Sequence, residues 1–93
     1  MTSPLGDMAA VFAALGHPTR LKIVDFLRRQ GQGGEPVGVI QAAVQVPAST
    51  LSHHLDVLKV AGVLRASRQE RFIYYALEPA VLGRVAGFFK IDD

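Results

Sequence analysis

Residues 49–55 read Ser-Thr-Leu-Ser-His-His-Leu, and the next turns add Leu58 and Gly62. On a helix, Leu51, Leu55 and Leu58 fall at i, i+4 and i+7 and form one narrow apolar stripe. At about 100° per residue, Ser49, Ser52, His53 and Asp56 point away from that stripe. Small hydroxyls and an imidazole suit hydrogen bonding to base edges and phosphates. They donate and accept, and they are short enough to let a helix front approach a DNA groove. Thr50 stands beside them, and Ala48 is placed to touch a thymine methyl. The same spacing also describes an ordinary amphipathic helix with a solvated face.

The pair His53-His54 invites a metal reading, but adjacent helical residues do not face one another and do not readily share an ion. Taking Leu51 as the core direction, His53 lies about 200° round the helix and His54 about 60° to the other side. His53 is therefore the groove-facing residue, and His54 packs at the core edge with one ring nitrogen hydrogen-bonded. His17 precedes Pro18 and reads as an extended turn residue. Arg20, one turn further on, reads equally as a phosphate contact or as half of an internal ion pair.

The element after this helix gives the polar front a context. Gly62 stops the helix in the left-handed conformation. Residues 63–77 then carry two runs with period-2 patterning around Gln69-Glu70, the second rich in aromatic and β-branched residues. They predict a β-hairpin. Ile73, Tyr75 and Leu77 are expected on its buried face, with Phe72 and Tyr74 outward. Arg65, Arg68 and Arg71 make the hairpin basic. A basic hairpin behind a polar-fronted helix is the arrangement of a winged helix-turn-helix, with the helix in the major groove and the wing on flanking backbone or minor groove.

Upstream, helices are expected near 7–15, 18–30 and 37–44, ahead of the 48–61 helix, and a last one near 79–90. Ser3 or Asp7 can start the first, whose stripe is Met8, Val11, Phe12 and Leu15. Pro18 opens the second, with Leu21, Val24 and Leu27 inward. Val37, Ile40 and Val44 line the third. Gln45-Val46-Pro47 is the turn into the fourth, where Pro47 offers no capping oxygen and Ser49 can take part of that role. Val81, Leu82, Val85, Phe88 and Phe89 give the last helix a broad apolar face. The first and last helices are more apolar than a small monomer needs, which points to an interface.

Four pieces lie in the order of the bacterial ArsR-SmtB family of winged helix-turn-helix regulators. They are Ala14-Leu15-Gly16-His17-Pro18-Thr19-Arg20-Leu21, Thr50-Leu51-Ser52-His53-His54-Leu55, Leu58-Lys59-Val60-Ala61-Gly62-Val63-Leu64 and Tyr74-Tyr75-Ala76-Leu77. The chain resembles that family over roughly residues 8–90. The resemblance implies a mainly α fold with about five helices and a two-stranded wing. It also implies a homodimer built on the first and last helices, and repression at an inverted-repeat operator in double-stranded DNA. The family's thiolate sensors place Cys-x-Cys where Pro36 and Gly38 stand here. Its other common site uses Asp and His pairs on the last helix, which has no histidine. The resemblance thus comes without a metal site or cofactor. An organic ligand, a protein effector or dilution remains as a route to relief of repression.

Composition narrows the classes further. Ninety-three residues with a formal charge of +2 make one small domain, 1–93, whose charge permits a DNA partner without requiring one. With no cysteine, disulfides, thiolate metal sites and cysteine nucleophiles are excluded. Residues 31–34, Gly-Gln-Gly-Gly, follow no strand and end in no Gly-Lys-Ser/Thr, so they are not a phosphate loop. His53-His54 lacks the glutamate spacing of a zinc-protease helix. An enzyme is not expected. No signal-peptide pattern or membrane-length apolar run is present, so a cytoplasmic protein is expected. The competing reading is a winged-helix module for protein contacts, which the three wing arginines oppose.

Overall fold

The computed structural model describes residues 3–92; Asp93, read with Asp92 as C-terminal acid, lies outside them. Among the described residues the elements run α1 (Pro4–Leu15), α2 (Pro18–Arg28), β1 (Glu35–Pro36), α3 (Val37–Val44), α4 (Ala48–Val60), β2 (Leu64–Gln69), β3 (Phe72–Leu77) and α5 (Pro79–Phe88). Helix α1 starts a few residues before its apolar stripe. Ser3 is its N-cap, and the hydroxyl oxygen accepts from the Gly6 N–H at 3.0 Å, ahead of Pro4 in the first turn.

The core is made where these helices meet. Ile23, Ile40, Leu51, Leu55, Leu58 and Val63 are the largest fully buried side chains. Each contributes on the order of 1.5–3 kcal/mol of transfer free energy. Val37, Ile40 and Val44 fall on the core side of α3 as their spacing predicts. In α2 the phase differs from expectation. Leu21 is 52% exposed, and Ile23 with Leu27 makes the buried pair. Ile23 and Leu27 are one turn apart, and Val24 joins them at the core edge, so the inward stripe is rotated away from Leu21.

The two-stranded wing is present as β2 and β3, and the sheet adds a short third strand to it. The sheet has three antiparallel strands in the order β1-β3-β2. Glu35 pairs with Tyr75 and Pro36 with Tyr74, while Leu64 to Gln69 pair with Leu77 back to Phe72. Two residues are too few for strand periodicity to appear in a sequence. The glycine run nevertheless has a structural reason. Gly34 has φ +78°, and a β-carbon there would lie 2.3 Å from the Tyr75 carbonyl oxygen. Only glycine lets β1 come up against β3. Within β3, Ile73 is 40% exposed rather than buried, because only the strand's base, at Tyr75, Ala76 and Leu77, reaches the helical core.

Candidate nucleic-acid interface

Helix α4 shows two contrasting sides. Leu51, His54, Leu55 and Leu58 are buried, while Ala48, Ser49, Thr50, Ser52, His53 and Asp56 are exposed. Ser49, Ser52, His53 and Asp56 follow i, i+3, i+4 and i+7, so they share one outward ridge. His53 is exposed and His54 is 6% exposed, as the helical phase requires.

The entry to this helix is fixed by backbone geometry. Gln45 closes α3 in the left-handed conformation, φ 56°, with its N–H donating to the Gln41 carbonyl at 2.8 Å. The Gln41 side-chain amide donates to the Val46 carbonyl at 3.2 Å, and Val46 packs against the core. Pro47 is the N-cap, and no side chain caps the helix. Ser49 does not take over that role. The first N–H groups of α4 therefore face outward at the positive end of the helix dipole, suited to an anion such as a phosphate.

A polar network holds the back of α4. Arg20 donates through Nε to the Ala14 carbonyl at the end of α1 and through Nη1 towards His54 Nδ1 at 3.1 Å. A guanidinium can only donate, so Nδ1 of His54 is the acceptor. The His17 ring lies 4.5 Å from that of His54, centroid to centroid. His17 also caps α2, its Nδ1 accepting from the Thr19 N–H at 3.1 Å. Burial first, then electrostatic coupling to His17, Arg20 and His53, holds His54 below the usual histidine range. The hydrogen bond expected of His54 is present, and its donor, Arg20, lies on a different helix with no signal in the spacing of α4. Arg20 is an internal hydrogen-bond bridge rather than half of an internal ion pair. His17 is a cap, a role signalled by its place directly before the helix-opening Pro18.

The wing arginines are not one cluster. The tight turn at Glu70-Arg71 places Glu70 at φ 58°. Strand alternation puts Arg65 and Arg68 on opposite faces of the hairpin. Arg65 sits near the base, 3.7 Å from the Glu78 carboxylate that caps α5. Arg68 donates through Nε to the Glu70 carbonyl at 3.2 Å, and the Arg71 guanidinium lies 5.4 Å from the Phe72 ring centroid. Arg68 and Arg71 thus form the basic tip.

The apolar face of the outer helices divides. Val11 and Val81 are buried in the protomer's own core, and Leu15, Leu82 and Val85 pack against it. Val11 and Val81, expected at the dimer interface, thus contribute mainly to the protomer's own core. Phe12, Phe88 and Phe89 form a mutual aromatic cluster with centroids 5.4–5.6 Å apart. Phe88 and Phe89 are half or more exposed, and Met8 is half-buried. Leu5 and Ile91, near the two ends of the chain, are also exposed. No helix among the described residues is long and apolar enough to cross a membrane.

Known proteins share this arrangement. A helix-turn-helix domain family model matches residues 15–65, from the end of α1 to the start of the wing. The transcriptional repressor SdpR of Bacillus subtilis is 41% identical over 76 residues, covering 81% of this chain and 80% of that protein. A homodimeric winged helix-turn-helix DNA-binding domain from Mycobacterium bovis superposes with a TM-score of 0.75 at 30% identity, covering 90% of this chain and 81% of that one. A crystal structure of an ArsR-family transcriptional regulator, at 23% identity and TM-score 0.78, covers 95% of this chain and 88% of its own, and shares the fold. With the recognition helix, wing and helix order in place, the chain belongs to the ArsR-SmtB family of winged helix-turn-helix transcriptional regulators.

Proposed function

We propose that the chain is a single-domain, homodimeric repressor of an inverted-repeat operator, and that it senses no metal. The observation that carries this reading is α4, whose buried stripe fixes an outward ridge of Ser49, Ser52 and His53 behind an uncapped helix front. Ala48 and Thr50 complete the base-reading end, while Arg68 and Arg71, with Arg65 nearer the base, reach phosphates or the minor groove. Two-fold symmetry then presents two α4 helices to successive major grooves, about one helical turn apart.

The exposed Phe88 and Phe89, with Phe12 and Met8, are the apolar surface that a second copy would cover. The similar Mycobacterium bovis domain is homodimeric, which supports the same assembly here. The chain has no thiol for arsenite or a soft metal. Its histidines lie together, but Nδ1 of His17 and of His54 each already accepts a hydrogen bond. Relief of repression falls to an organic ligand or protein effector at the outer helices, or to dilution. A cytoplasmic, non-catalytic role follows from this reading.

Selection of duplexes from a random DNA pool, combined with sedimentation, tests it. A dimer that enriches a two-fold symmetric sequence is expected. A monomer at micromolar concentration with no duplex preference would overturn it and favour a protein-contact module. Zinc or nickel titrated into the selected complex should leave affinity unchanged. Release at low micromolar metal, abolished by replacing His17, His53 or His54, would show a metal-sensing site.

A further inference from the structure

Two histidines, His17 and His54, meet behind the recognition helix, and the outward His53 adjoins His54 along α4. The His17 and His54 rings are 4.5 Å apart and the His53 and His54 rings 5.7 Å apart, centroid to centroid. Arg20 ties them to α1 through the Ala14 carbonyl and to α4 through His54. One guanidinium thus joins α1, α2 and the buried side of α4, one residue from the outward His53. We propose that Arg20 and His54 are positioning residues for the DNA-facing ridge, and that acid unseats α4 by turning the His54 acceptor into a donor. This rests on α4 being the DNA-facing helix.

The chemistry is one-directional. Neutral His54 accepts from Arg20 at Nδ1, whereas charged imidazole carries N–H on both nitrogens and offers Arg20 nothing to donate to. The charge would also be placed among His17 at the start of α2, Arg20 within α2 and His53 on α4. No ion pair to His54 occurs among the described residues to compensate it. Asp56 lines the groove between α1 and α4 together with Arg20 but forms no ion pair with it. Lys59 is exposed further along the helix.

The direction of the linkage follows from His54 lying below its ordinary range when folded. The unfolded chain takes up the proton first, so the stabilisation is complete above about pH 6.5 and is lost as pH falls below it. Phosphate attraction moves the other way, because added positive charge tightens binding to every duplex. The signature of a positioning role is therefore a loss of preference, not of affinity as such.

Two measurements test this, each on the wild-type chain and on His54→Asn, whose amide oxygen keeps an acceptor bonded to Cγ and cannot titrate. First, urea unfolding without DNA between about pH 7.5 and 5.5 should show the wild-type midpoint falling with acid. The fall should be much smaller in His54→Asn and retained in His53→Ala. Parallel profiles for wild type and His54→Asn would overturn the proposal whatever the DNA results. Second, the affinity ratio of a duplex selected at neutral pH to a random duplex should drop several-fold in wild type. It should stay within about twofold in His54→Asn; the limit is about tenfold per pH unit for each proton coupled. Equal drops in both would remove the positioning role. If no duplex is preferred at neutral pH, the DNA reading itself fails, and the unfolding profiles alone decide the proton-sensitive seating. Should His54→Asn not fold, titration of the wild-type imidazoles by NMR decides. A His54 midpoint below that of His53, moving with α4 amide shifts, supports the proposal. An ordinary His54 midpoint with still α4 amides overturns it.

Discussion

Helix α4 and the wing are assigned to the same duplex but are held in different ways. Helix α4 sends Leu51, His54, Leu55 and Leu58 into the core, whereas every residue from Arg65 to Ile73 is exposed. Its outward ridge is therefore located by packing on the far side of the same helix. The wing beyond its base is located only by the hairpin ladder, with Arg68 bonded back to the Glu70 carbonyl. Base reading needs donors fixed to within about half an ångström, and rigid elements supply that. Phosphate contacts carry no sequence information and tolerate an adaptable strand. The contrast teaches that the burial behind a contact, more than the contact residues themselves, separates specificity from affinity.

The largest effect should come from breaking the anchored side. Leu55→Ala removes a side chain only 1% exposed and should cost about 2–5 kcal/mol of stability. Denaturant unfolding measures it, and a loss under about 1 kcal/mol would mean that α4 is not held by its stripe. No wing position between Arg65 and Ile73 offers a comparable target.

Next in size is the reading ridge. His53→Ala should lose roughly 1–3 kcal/mol of discrimination at one position in each half-site while leaving the unfolding midpoint nearly unchanged. Competition binding against single-base variants of a selected duplex gives the number. A large stability loss instead would place His53 in the core.

The smallest effect sharpens the wing side. Arg68→Gln should weaken selected and random duplexes alike and flatten the salt dependence by roughly one unit per lost contact. Arg65→Gln should do less, since that guanidinium already lies 3.7 Å from the Glu78 carboxylate. Unchanged binding to random duplex after Arg68→Gln would leave that side chain in solvent.

Much of this was legible because it is periodic or punctuated. Leu51, Leu55 and Leu58 gave the phase of α4, and Pro18 and Gly62 marked element boundaries. What escaped was either too short or too distant in sequence. Glu35–Pro36 is a strand only because Gly34 lets it reach Tyr75 and Tyr74. The inward side of α2 could not be chosen from Leu21, Val24 and Leu27, because Ile23 fits an equally regular stripe. Ile73 follows the alternation of a buried face, but the hairpin has left the core by that point.

The helix order, the outward His53 and inward His54, the basic hairpin and the absence of any thiol can all be read from the residues and their spacing. These are local, set by a 3.6-residue or 2-residue period and by residue chemistry. Tertiary packing selected which apolar residues of α1 and α5 face the protomer's own core, leaving Phe88 and Phe89 outward. It alone brought Arg20 to His54, 34 residues apart, and His17 against the same ring. Such contacts depend on how helices cross. Side-chain type and spacing along one helix do not specify which residue of another will meet them.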